Sequence, residues 1–117
     1  ADFVMHLRYY AQIPINQAAT KYAQVVVPVD CTLLKIKACA MAVVATASID
    51  LYLEDGTPAT ILSSAVTIGV ATTAYSGTAA TTAFSEGDII SLRATTNGTG
   101  LLDGTEITLL FKANHVA

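Results

Sequence analysis

The chain has 117 residues, 53% of them hydrophobic and only 13% charged, with a net charge of −3. That length suits one domain able to bury a core, and it leaves no room for several. The six cations (Arg8, Lys21, Lys35, Lys37, Arg93 and Lys112) are scattered, so the clustered charge that neutralises nucleic-acid phosphates is missing. The longest apolar run, about residues 38–47, falls short of the roughly 20 residues that span a bilayer as a helix. No charged start followed by an apolar segment marks a signal peptide. A typical soluble domain is about a quarter charged, and the shortfall here is local. From Gly56 to Ser85 there is no Asp, Glu, Lys or Arg. Such a stretch is either a Thr- and Ser-coated sheet in water or a surface that a neighbouring chain covers.

Period-two alternation runs through the chain and predicts strands with one buried face. Phe3, Met5, Leu7 and Tyr9 point one way, while Val4, His6, Arg8 and Tyr10 point the other. This is an edge strand or an extended arm. Residues 11–22, polar and Ala-rich around Pro14, read as a connector, so the chain divides into an arm and connector over 1–22 and a sandwich over 23–117. The β-branched run Gln24 to Val27 stops at Pro28, which cannot donate to a ladder. Leu34, Ile36 and Ala38 are expected inward, with Lys35 and Lys37 outward. Residues 38–47 have the alanine content of a helix, but Val43, Val44 and Thr46 and the alternating flanks favour strand.

Next, Ile49, Leu51 and Leu53 face in, with Asp50, Tyr52 and Glu54 out. Glu54-Asp55-Gly56-Thr57 signals a hairpin, because glycine takes positive φ without steric cost. Residues 59–65 and 66–70 form one or two strands, and the Thr/Ala-rich 71–83 forms a strand or a strand pair. Phe84 to Asp88 turn into a strand with Ile90, Leu92 and Ala94 inward. Asn97-Gly98-Thr99-Gly100 and Asp103-Gly104 punctuate a loop, and the last strand turns Ile107, Leu109 and Phe111 inward. Seven or eight strands with turns between them, and no helical period, predict an all-β antiparallel two-sheet β-sandwich of jelly-roll or Greek-key type, with an extended N-terminal arm.

The chemistry-bearing residues are few. A nucleophilic site needs a base, and the only histidines, His6 and His115, lie near the ends without a nucleophile motif. The carboxylates Asp50, Glu54, Asp55, Glu86, Asp88, Asp103 and Glu106 fall on outward positions or in turns. No loop spaces Asp and Asn so as to gather the six to eight oxygens that calcium takes, and no glycine-rich phosphate loop opens a helix. Cys31 and Cys39 on one extended strand are about 26 Å apart. A disulfide needs Cα atoms within about 7 Å, so the two pair only if the chain turns back between them, and free thiols are expected. The expectation is therefore no enzyme, no cofactor and no metal. Tyr9, Tyr10, Tyr22, Tyr52 and Tyr75 remain, and exposed tyrosines suit protein interfaces and sugar stacking alike.

From Val25 to Ala113 the chain resembles small β-sandwich structural proteins of tailed bacteriophages. The resemblance rests on an ordered set: Pro28-Val29-Asp30-Cys31-Thr32 before an alternating strand, the hairpin from Ile49 to Thr57, a Thr/Ala region, Phe84-Ser85-Glu86-Gly87-Asp88-Ile89-Ile90-Ser91-Leu92, a glycine-rich loop, and Ile107 to Phe111. It implies a capsid decoration (cement) protein on the outside of the virion, made in the host cytoplasm. Its partners would be the major capsid protein and further copies of itself, with a homotrimer favoured, and neither nucleic acid nor membrane. Phe3, Met5, Leu7, Tyr9, Tyr10 and Tyr75 are the interface candidates. The alternative is a receptor- or glycan-binding module of a head or tail fibre, using loop tyrosines with Asn97, Asp55 and Asp103.

Overall fold

A computed structural model describes residues 1–13, 20–94 and 102–114. Every regular element among them is a strand: β1 (Asp2–Ile13), β2 (Lys21–Val26), β3 (Cys31–Val43), β4 (Ala47–Leu53), β5 (Ala59–Thr60), β6 (Val66–Ile68), β7 (Tyr75–Gly77), β8 (Ala83–Phe84), β9 (Ile89–Ala94) and β10 (Leu102–Ala113). They form two antiparallel sheets. One has the order β1-β10-β3-β7, with β8 also on β3; the other has the order β2-β9-β4-β5, with β6 also on β4. Taking β5 with β6 and β7 with β8 as broken single strands leaves eight. The first then pairs with the last, the second with the seventh, the third with the sixth and the fourth with the fifth. This nested hairpin is the jelly-roll form of the expected two-sheet sandwich.

Alternation places the core. Leu7 of β1, Ile107, Leu109 and Phe111 of β10, and Leu33, Ile36 and Ala38 of β3 line one sheet. Ile49 and Leu51 of β4 with Ile90 and Leu92 of β9 line the other, and all are buried. Phe111 sits in an aromatic group, stacked on Phe3 at 5.2 Å and edge-on to Phe84 at 5.9 Å, distances at which ring pairs attract.

Several expectations are corrected by pairing. The first segment, read as an edge strand or an extended arm, is the edge strand of the first sheet, in register with β10 from Asp2↔Lys112 to Tyr9↔Thr105. The supposed connector contributes the end of β1 and the start of β2, so packing does not divide the chain at residue 22. Leu34, expected inward, is 47% exposed while Leu33 is buried. A bulge causes this: Leu110 faces Lys35 but Phe111 faces Leu33, so the extra residue shifts the alternation by one. Residues 44–46, expected as strand, form the turn that carries the chain from one sheet to the other. The 54–57 hairpin joins β4 to β5 with Gly56 at φ +89°. Cys31 and Cys39 are both free, one buried and one half-buried.

Candidate functional site

The two long narrow flanks of the sandwich differ. On one, the edges of the two sheets are tied together. Ser63 N–H donates to the Thr78 carbonyl at 2.9 Å, Ala80 N–H donates to that of Ile61 at 2.8 Å, and Leu62 and Ala79 form a bridge. This flank is β5 to β8, and it is the charge-free stretch 56–85. The sequence showed the absence of charge; the topology gathers it onto one side. Its exposed residues include Thr57, Ala59, Thr60, Thr73 and Ala80. Val70, 60% exposed, is its one large exposed apolar side chain. The strands here are two or three residues long, too short to act as open ladders, so a partner would meet side chains rather than a strand edge.

On the other flank β1 and β2 are the outermost strands of the two sheets among the described residues. Of the interface candidates, Leu7 is 1% exposed. Phe3, Met5 and Tyr9 are half-buried against the core, with the Tyr9 ring tilted against Tyr22 at 4.9 Å. Tyr75 is half-buried, and its hydroxyl accepts a bond from Val70 N–H at 3.0 Å. Tyr10 alone of the six stands out, 71% exposed. It lies where the β1 register slips, between Tyr9↔Thr105 and Gln12↔Asp103. Opposite it, Gly104 holds φ +64°, and a Cβ there would meet Met41 Sδ at 2.6 Å. His6 Nδ1 lies 3.2 Å from the Thr108 hydroxyl, and Arg8 Nε donates to Glu106. His115, Asn97 and the rest of the 97–100 loop lie outside the described residues.

The outer face of the second sheet holds a charged group that the sequence did not reveal. Glu54 is 8% and Arg93 11% exposed by side chain. Arg93 donates through Nε at 2.9 Å and Nη2 at 2.6 Å, and Ser91 adds its hydroxyl. Lys21 Nζ stands 3.8 Å away. Burial pushes the Glu54 carboxyl up, but Ser91, Arg93 and Lys21 together outweigh it and hold it below the usual carboxylate range. The Arg93 guanidinium also lies 4.5 Å over the Tyr52 ring, within cation–π range. Asp50 faces Arg93 across the strands, yet it accepts only from Leu51 N–H among the described residues, at 2.8 Å. Burial raises its pKa, partly offset by that bond. The group would have been visible only to a reader who knew that β4 pairs with β9.

The remaining carboxylates shape turns: Asp30 accepts from Glu86 N–H and Asp88 from Ser85 N–H. A groove lined by Val29, Asp30, Glu86 and Asn114 is an open depression beside that turn. Among the described residues no three His, Cys, Asp or Glu side chains come together to hold a metal ion.

No protein-family model matches the chain, and no curated protein matches it. Among solved structures it is similar to the N-terminal cellulose-binding domain of β-1,4-glucanase C from Cellulomonas fimi. Identity is 13% and the TM-score 0.40, over 96% of this chain and 90% of that domain.

Proposed function

We propose that the chain is a non-catalytic virion structural protein, a decoration protein that docks on major capsid subunits and braces the head from outside. The observation that carries this reading is the charge-free flank of β5 to β8. The buried centres of protein interfaces are depleted in charged residues, whereas a surface that stays in water normally keeps them. Here the β5 to β8 segments carry no charge of their own, with Lys37 of β3 reaching the Ser76 hydroxyl at their border, and they are zipped closed by backbone bonds, which gives a rigid, low-charge docking face. The resemblance to phage decoration proteins supplies the class of partner. The mechanism is mass action: a cap that binds only assembled subunits stabilises the assembly, and simultaneous contact with several subunits multiplies weak interfaces.

The test is cosedimentation with shells assembled from the major capsid protein of the same genome, followed by the temperature at which decorated shells come apart. Wild type should bind and raise that temperature. Val70→Glu and Thr60→Lys, at exposed positions, should leave the fold intact and abolish binding. Binding that survives both charges would overturn the flank's role, and no binding by wild type would overturn the reading.

One observation favours a second reading, a saccharide-binding module: Tyr10 presents its ring to solvent near Asp103. It is the weaker reading. Tyr9 and Tyr22 pack against each other, Tyr52 lies under Arg93, and the Tyr75 hydroxyl is bonded. Retention on immobilised glycans that is lost in Tyr10→Ala would favour it.

A further inference from the structure

Among the described residues, β1 leaves one side of its backbone without a neighbouring strand. Two backbone bonds fix which groups of β1 face outward. Ala113 N–H donates to the Ala1 carbonyl at 3.0 Å, and Asn114 N–H donates to that of Asp30 at 2.9 Å. In antiparallel ladders, bonded and non-bonded pairs alternate along the strands. The first bond makes residues 1 and 113 a bonded pair, so Asp2↔Lys112 is non-bonded. The second, with Lys112 opposite Thr32, turns the Lys112 backbone towards β3 and away from β1. Both give the same answer: the N–H and C=O groups of Asp2, Val4, His6 and Arg8 point away from β10. Among the described residues no strand lies beyond them, and no backbone bond ties β1 to β2. The opposite flank is zipped; this one offers a free ladder.

The sequence along that ladder is self-complementary. The regular part of β1 runs from Asp2 to Tyr9, before the register slips. Place two copies antiparallel about a two-fold axis through Met5, normal to the sheet. Outward backbone then meets outward backbone along the whole regular stretch, Asp2 facing Arg8 of the second copy and Val4 facing His6. Each facing pair exchanges both of its hydrogen bonds. Asp2 and Arg8 project from the same outer face and are both exposed, so the register brings opposite charges together twice, and directly facing opposite charges stabilise a sheet. Moving the two-fold to Val4 leaves Arg8 without a facing residue. Moving it to His6 sets His6 against His6 and Arg8 against Val4. Glu106 takes the Arg8 Nε, and a guanidinium carries further donors for a second carboxylate. On the inner face, Phe3 and Met5, each half-buried in the single chain, would line the seam.

We propose that the protein forms a two-fold homodimer through antiparallel β1–β1 pairing in this register, joining the two β1-β10-β3-β7 sheets into one. The proposal does not rest on the capsid reading. It also differs from the trimer that the resemblance implies, because an isologous contact closes at two copies.

The experiment is sedimentation equilibrium over a range of concentrations, with circular dichroism and thermal melts to confirm folding. Wild type should show a reversible monomer–dimer equilibrium. Val4→Pro removes an outward N–H from each copy and no bond to β10, and edge positions tolerate proline; dimerisation should weaken about tenfold or more. Asp2→Lys sets Lys against Arg8 and should abolish the dimer; within the chain it also faces Lys112, so its melt is compared with that of wild type. Arg8→Glu sets Glu against Asp2 and should do the same; it also faces Glu106 within the chain, so the recovery on mixing is what assigns the loss to the seam. Mixing those two variants restores opposite charges at both sites and should recover dimer. Three outcomes would overturn the proposal: a wild-type monomer at every concentration, a trimer, or a dimer indifferent to Val4→Pro and Asp2→Lys. Shell binding, read separately, leaves each result interpretable by itself.

Discussion

Replacing Glu54 by Gln tests whether the Glu54–Arg93 pair behaves as a buried ion pair or as surface decoration. Both side chains are about nine-tenths covered, and Glu54 receives Arg93, Ser91 and Lys21. Breaking a fully buried pair from one side costs about 3–5 kcal/mol, because the other charge is left uncompensated. An exposed pair contributes about 0–1 kcal/mol. The group lies on an outer sheet face, where Arg93 can turn towards water and keeps its contact with Tyr52. Gln also retains an acceptor for Ser91. The expected loss is therefore about 2–3 kcal/mol, a fall in melting temperature of roughly 6–15 °C for a domain of this size. The pH dependence carries the same signature. The folded pKa of Glu54 is lowered, so its contribution is complete above the unfolded value of about 4.3 and is lost as pH falls through the folded value. Urea titrations of wild type and Glu54→Gln at neutral pH, repeated towards pH 3, should show a gap that closes on acidification. A neutral-pH difference under about 0.5 kcal/mol would refute the reasoning and place the pair with ordinary surface pairs.

Three other substitutions follow from the same structure. Thr105 is 0% exposed and its hydroxyl has no hydrogen-bond partner among the described residues, so Thr105→Val should raise stability by about 1 kcal/mol in chemical denaturation. Gly104→Ala should lower stability by about 1–3 kcal/mol, since it puts a side chain at φ +64° and drives its Cβ into Met41; a smaller loss would mean that Met41 moves aside freely. Asp50 has a raised folded pKa, so its charge costs stability above that value and nothing below the unfolded one. Asp50→Asn should melt higher than wild type at neutral pH, and the difference should vanish near pH 3, about a unit below the unfolded value.

How much of this the sequence revealed depended on how local the cause was. The inward sets of β4, β9 and β10 follow from alternation alone, and the turns at Gly56 and Gly87 follow from glycine's access to positive φ. Leu34 was misplaced because a bulge is a property of a strand pair, which the sequence of one strand does not encode. The apolar side of β1 was equally legible, but periodicity shows only that a face is buried, not whether its own domain buries it. Strands β7 and β8 were blurred because β3, far away in the chain, holds them. The candidate site divides in the same manner. The charge-free stretch was plain in the sequence, while its gathering onto one flank required the nested pairing of the jelly roll. Glu54 follows β4 whereas Ser91 and Arg93 lie on β9, and the outward expectation for Glu54 was right without suggesting that the three meet.

The central claim is that the protein works by laying its uncharged flank on a protein shell. Hydrogen–deuterium exchange of the chain, free and bound to shells of the major capsid protein, tests it most directly. The account predicts new protection concentrated in residues 56–85, with little change on the outer face of the second sheet around Tyr52 and Arg93. Protection centred on that outer face, or no change at 56–85 despite binding, would contradict it.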